Sequence, residues 1–209
     1  LSNTEDILMK ICGLQKTTLL DFPGHVAATI FTGGCNFRCP FCHNASLVVN
    51  IPDESEITEE AFFGFLKKRQ GILDGVCVTG GEPLLQPGIE DFIYKIKELG
   101  YAVKLDTNGS FPDKLRNIVE AGLVDYVAMD IKNSKEAYPK TVGIDTFDVS
   151  PICESVDFLK KSKTDYEFRT TVVNEIHSVS DIENICKKIE FNIYFCKKYV
   201  ILHLSDCRR

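Results

Sequence analysis

At 209 residues and a formal net charge of −6, the chain has the size of one ordinary domain with room for a real core. Its acidity argues against a nucleic-acid protein, which needs a basic face to meet phosphates. No run of about 18 apolar residues is present to cross a bilayer, and the polar start LSNTEDILMK lacks the basic and then apolar segments of an export signal. Nine cysteines without such a signal imply a reducing, cytoplasmic setting. The six that lie outside one tight group (Cys12, Cys77, Cys153, Cys186, Cys196, Cys207) then read as free thiols.

In chain order, strand and helix patterns alternate. VAATIF (26–31) is a short β-branched run of the buried-strand type. TEEAFFGFLKKRQG (58–71) has Thr58 as N-cap, acids in its first turn, bases in its last, and Gly71 as a stop. GVCVT (75–79) is the next strand, and GIEDFIYKIKELG (88–100) a helix closed by Gly100. YAVKLD (101–106) is a strand, 113–121 a short helix, and VDYVAMD (124–130) a strand. Ser150 and Pro151 open another helix, with Ser150 as N-cap. YEFRTTVV (166–173) is a strand, Ser180 and Glu183 form a capping box for the helix after it, and YVILHL (199–204) is the sixth strand. Repeated β–α units of this kind build a parallel sheet covered by helices, either doubly wound or curled into an open barrel.

The polar motifs sit at successive strand ends. A cysteine loop follows 26–31, TGGEP (79–83) ends 75–79, DTNG (106–109) ends 101–106, MDIK (129–132) ends 124–130, and Arg169 lies within 166–173. Active sites of parallel β/α folds are built at the carboxyl ends of the strands. An inert protein would also place turn residues there, but has less reason to place Glu82, Asp106, Asp130 and Lys132 there together. His25 and His177 read as loop or surface residues, and Asn108-Gly109 as a turn as readily as a contact.

The loop GGCNFRCPFCHN (33–44) brings Cys35, Cys39 and Cys42 together. A structural zinc site needs four ligands, and His43 is the available fourth. Zinc ligands usually come as two separated pairs, however, and a second C-x-x-C is missing. Three thiolates on one short loop are the donor set for three corners of an iron–sulfur cube, leaving one iron open.

With its aromatic residue before the last cysteine, C-x₃-C-x₂-C resembles the signature of the radical S-adenosylmethionine superfamily. LDFPGHVAATIFTGGCNFRC followed by CPFCHN resembles, within it, the activating enzymes of glycyl-radical enzymes, and among these the activators of anaerobic ribonucleoside-triphosphate reductase. The resemblance covers roughly Met9 to Val173. It implies a single-domain, open partial (β/α)6 TIM-like barrel, one [4Fe–4S] cluster on Cys35, Cys39 and Cys42, and S-adenosylmethionine chelated at the open iron. Gly80, Gly81 and Glu82 would hold the methionine amino group, Glu82 by accepting from the ammonium, and Phe41 would line the adenine site. Asp106, Thr107, Asp130 and Lys132 would surround the cofactor carboxylate or a bound monovalent cation, and Arg169 would reach the ribose or carboxylate. Beyond the cluster and cosubstrate no catalytic side chain is implied.

The function so implied is reductive cleavage of S-adenosylmethionine and formation of a glycyl radical on a partner, anaerobic ribonucleotide reductase, under anaerobic conditions. The reductant would be external, a flavodoxin or ferredoxin, because a ferredoxin-like insert is missing between Cys42 and Gly75. Alternatives are the pyruvate formate-lyase type of activase, a small-molecule enzyme like 7-carboxy-7-deazaguanine synthase, and, outside enzymes, an iron–sulfur electron carrier. The expected organisation is a lead-in over 1–17, a core domain over 18–190, and an atypical tail over 191–209. The tail departs from the resemblance as a truncation or frame change near Phe191 would make it.

Overall fold

The computed structural model describes residues 9–49, 57–188 and 199–204. Its sheet begins with an antiparallel pair, β1 (Ile11–Thr18) against β2 (Ala27–Thr32). After β2 come the short helices and strands α1 (Ala45–Val49), α2 (Glu59–Lys67), β3 (Gly75–Gly80), α3 (Ile89–Glu98) and β4 (Ala102–Thr107). Then follow α4 (Pro112–Glu120), β5 (Tyr126–Asp130), α5 (Tyr138–Val142) and α6 (Ser150–Lys161). The chain continues through β6 (Asp165–Val173), α7 (Val179–Lys188) and β7 (Tyr199–Leu204).

The seven strands lie side by side in sequence order, and β2 to β7 pair in parallel. A doubly wound sheet reverses its strand order at a switch point; this order never reverses, which is the connectivity of a barrel. β1 and β7 stand at its two ends rather than paired, so the barrel is open. The expected six parallel strands are all present. β1, which the sequence reading leaves in the lead-in, is an added seventh. Of the atypical tail, only β7 falls within the described residues.

The sheet has two unlike faces because side chains alternate along a strand. One set of positions (Ala28 and Ile30, Val76 and Val78, Val103 and Leu105, Val127 and Met129, Phe168) is buried with Phe62, Leu66, Phe92, Ile96, Leu115 and Leu159 of the helices. Each fully buried side chain of this size contributes about 1.5–3 kcal/mol relative to exposure. The intervening positions carry Thr29, Cys77, Lys104, Asp106, Glu167 and Arg169, which point to the inside of the curl. The apolar core is thus the layer between sheet and helices, and the barrel's interior is left to polar and charged groups.

Candidate active site

The strand register sets the site's depth. Thr32 stands beside Gly80, Thr107 beside Met129, and Asp130 beside Arg169. The carboxyl ends of β2 to β6 therefore open at one level, and a cavity of about 490 Å³ lies over them. Cys35, Cys39, Cys42, Phe41, Gly80, Gly81, Asp106, Thr107, Asp130, Lys132 and Arg169 all line it. One site residue named from sequence, Glu82, does not.

Glu82 is fully buried, and its carboxylate accepts from the Thr107 hydroxyl (2.8 Å), the Asn108 backbone N–H (2.7 Å) and the Leu84 N–H (3.1 Å). Burial pushes its pKa up to about 7, against the pull of those donors. These three bonds tie the end of β3 to the end of β4. The glycines before it are needed for close approach. A Cβ on Gly81 would stand 1.9 Å from the Gly34 carbonyl oxygen, and one on Gly80, at φ +116°, 2.3 Å from the Thr32 nitrogen. Gly81 N–H donates to Thr32 O (2.9 Å) and Glu82 N–H to Gly34 O (2.8 Å), so this turn is laced directly to the start of the cysteine loop.

Deeper in the barrel, charges alternate. Lys104 pairs with Asp106, Asp106 with Arg169 (3.1 Å), Arg169 with Asp130 (2.9 Å), and Asp130 with Lys132 (2.8 Å). Burial raises the pKa of Asp130, but Lys132 and Arg169 outweigh it and hold the carboxyl well below its ordinary range. Asp106, Asp130 and Lys132 are among the residues that the resemblance places around the cosubstrate carboxylate or a bound monovalent cation, and with Lys104 and Arg169 they form one continuous charge network. Each aspartate already engages two cationic side chains, Arg169 spans the space between them, and the Thr107 hydroxyl is turned to Glu82.

The three thiols sit half-buried on one loop. Phe37 N–H donates to Cys35 Sγ (3.3 Å), and the Asn108 amide lies 3.8 Å from the same sulfur. Burial pushes the Cys35 thiol up to about 11 and raises Cys39 as well, with Lys132 pulling the other way. Among the described residues no three His, Cys, Asp or Glu side chains converge on one ion, and His43 is exposed. Soft donors that sit beside N–H groups and a lysine, spread around one cavity, fit a cluster whose metals each take one thiolate.

Several residues near the site were not singled out from sequence. Asn36 bridges Asn108 and Ser110 (both 2.9 Å), joining the cysteine loop to the turn after β4. Arg38 donates to the carbonyls of Cys35 and Phe37 (2.7 Å each). Fully buried Tyr138 stacks on Phe147, and Phe37 meets both rings edge-on. His177 is a loop residue between β6 and α7, as expected, but not a surface one: it is buried, its Nδ1 accepts from Val173 N–H (3.1 Å), and its Nε2–H donates to Lys132 O (2.7 Å). Its ring also meets Phe41 edge-on at 6.1 Å. His25 does lie at the surface side, partly exposed and paired with Asp74 at 3.1 Å. The Asn36–Asn108 and His177–Lys132 contacts join residues far apart in the chain, and no spacing signal announces them.

Residues 29–189 match the model of the Radical SAM superfamily. A protein of Methanocaldococcus jannaschii described as a candidate glycyl-radical enzyme activating enzyme is 32% identical over 187 residues, 86% of this chain and 75% of that one. The pyruvate formate-lyase-activating enzyme of Clostridium pasteurianum is 31% identical over 132 residues, 61% of this chain and 54% of that one. The solved structure of anSMEcpe with bound AdoMet matches with a TM-score of 0.63 and 20% identity, covering 83% of this chain and 50% of that chain, a likeness of fold alone. The family match spans both the cysteine loop and the strand ends that complete its cavity, and the chain belongs to the Radical SAM superfamily.

Proposed function

We propose that the chain is an activase that generates a glycyl radical on a partner enzyme, anaerobic ribonucleoside-triphosphate reductase. Membership of the superfamily implies one [4Fe–4S] cluster and S-adenosylmethionine, and the thiols described above suit the cluster. When bound there, this pair supplies the one-electron cleavage that yields methionine and a 5′-deoxyadenosyl radical. The observation that carries the reading is the convergence of the three cysteines, Gly80, Gly81, Asp106, Asp130, Lys132 and Arg169 on one cavity at the strand ends.

The chain's own groups have distinct tasks. Cys35, Cys39 and Cys42, which line the cavity, would hold the cluster by their thiolates. Gly80 and Gly81 present bare backbone to the cosubstrate's methionine end. Lys132 and Arg169 offer their remaining N–H groups to its carboxylate, while the aspartates between them keep both cations oriented. Phe41, largely buried against His177, presents an apolar wall for the adenine. These walls exclude water from a reactive intermediate. The organisation into a core over 18–190, the external flavodoxin or ferredoxin reductant and the cytoplasmic, anaerobic setting belong to the same reading. Among the described residues no helix is long and apolar enough to cross a membrane.

The test is anaerobic reconstitution with iron and sulfide, then reduction by dithionite with S-adenosylmethionine. Formation of 5′-deoxyadenosine is expected. A cluster-loaded, folded sample that makes none sinks the reading. Electron paramagnetic resonance with anaerobic ribonucleotide reductase and pyruvate formate-lyase then assigns the partner. A glycyl signal with only the second overturns the first choice and favours the type of the clostridial relative.

A further inference from the structure

We propose that Asn108 is a positioning residue for the cluster: its side-chain N–H₂, aimed at the Cys35 sulfur, tunes that ligand and locks the cysteine loop to the end of β4. The inference rests on the cluster reading above. Its ground is a hydrogen-bond set that leaves the carboxamide only one orientation. Oδ1 accepts from the Ser110 backbone N–H (2.9 Å) and from its hydroxyl (2.6 Å). A backbone N–H can only donate, so the oxygen must face Ser110 and the nitrogen must face the cysteine loop. There Nδ2 meets Asn36 Oδ1 at 2.9 Å and Cys35 Sγ at 3.8 Å.

The residue is also anchored from behind. Its backbone N–H donates to the buried carboxylate of Glu82 at 2.7 Å, and Asn108 itself is buried. The two motifs of the site, the cysteine loop and the glycine–glutamate turn, are therefore joined through one residue. Hydrogen bonds to cluster sulfurs help to set reduction potential, since an N–H donor favours the state with more negative charge on sulfur. Removing the donor makes the reduced state less favourable and the potential more negative.

The test compares the wild type with Asn108→Asp, Asn108→Ala and Ser110→Ala, each reconstituted anaerobically without S-adenosylmethionine. The readout is the cluster's midpoint potential, followed by electron paramagnetic resonance. Asn108→Asp keeps the acceptor that Ser110 needs, loses the donor and adds an anion, so it should show the largest negative shift. Asn108→Ala should shift less, and Ser110→Ala, which loosens the Asn108 amide and frees the Asn36 N–H₂ but leaves the Asn108 donor in place, least. Potentials unchanged from wild type in Asn108→Ala and Asn108→Asp would overturn the inference. Should the Asn108 variants fold without taking up a cluster, the positioning role is supported by that loss. Should they fail to fold, Ser110→Ala decides, an unshifted potential counting against. A wild type that takes up no cluster refutes the cluster reading instead.

Discussion

Glu82 and Gly81 show why residue identity in the strand-end turn is so constrained. An unfolded glutamate has a pKa of about 4.5, and burial raises this one to about 7. Below the lower value it is neutral in both states. Between the two, the unfolded chain ionises first, so stability falls as pH rises, by up to ~3 kcal/mol across the window, and is level above it. Glu82→Gln is neutral throughout, although its amide must point an N–H₂ at a donor and costs ~1–3 kcal/mol at acid pH. Urea unfolding of the apoprotein at pH 5 and pH 8 should therefore show the wild type's advantage over the variant shrinking with pH. A constant gap would refute the raised pKa. Gly81→Ala tests the other constraint. Its methyl group would meet backbone rather than a movable side chain, so a loss of about 3 kcal/mol, at the top of the usual overpacking range, is expected in the same assay.

At the scale of elements, legibility followed the strength of the local signal. Thr58 caps α2 as the sequence suggests, its hydroxyl accepting from Ala61 N–H at 3.1 Å. That helix closes earlier than expected, at Lys68, and Gly71 instead supplies a left-handed turn three residues on. Ser150 proves to be the first helical residue of α6, with Val149 at the cap. For α7 the expected capping box is displaced. Ser178 and Asp181 exchange the reciprocal bonds, Asp181 N–H to Ser178 Oγ (3.1 Å) and Ser178 N–H to Asp181 Oδ2 (3.0 Å). Ser180 and Glu183 have the same spacing, and only the path of the chain out of β6 decides between them. β1 escaped notice because Gly13 and the exposed run Gln15-Lys16-Thr17 break an apolar pattern, while α1 and α5 are too short to show a helical period. Two substitutions separate the two possible capping boxes of α7, and a third tests α2. Ser178→Ala should lower stability by about 1 kcal/mol, with Ser180→Ala near neutral. Gly64→Ala in α2, where a Cβ meets nothing within 4 Å, should raise it by about 0.5–1 kcal/mol. Thermal unfolding of the three variants reads both.

Across the whole molecule, the site is the place where the barrel's charged interior reaches the surface. The strand-end positions of the site were visible in the sequence because a parallel sheet forces its carboxyl ends to one level, and register then brings Asp130 beside Arg169. How those groups partner was not visible, since Arg169 also reaches Asp106, which is one strand beyond its neighbour. A curled sheet makes that contact possible, and no motif along the chain announces it. The consequence is a role for Arg169 in the fold as well as in binding. Its planar fork places one N–H on each carboxylate, which a lysine's single ammonium does less well. Arg169→Met should leave two poorly compensated carboxylates and cost about 3–5 kcal/mol, with weaker binding of S-adenosylmethionine to the reconstituted protein. Arg169→Lys, retaining the charge but not the bridge, should fall between the two in both unfolding and equilibrium binding. Equal losses in the lysine and methionine variants would show that the bidentate bridge is the whole of the effect. No loss of stability in either would mean that Asp106 and Asp130 are satisfied by Lys104 and Lys132 alone, and that the guanidinium serves the cavity only.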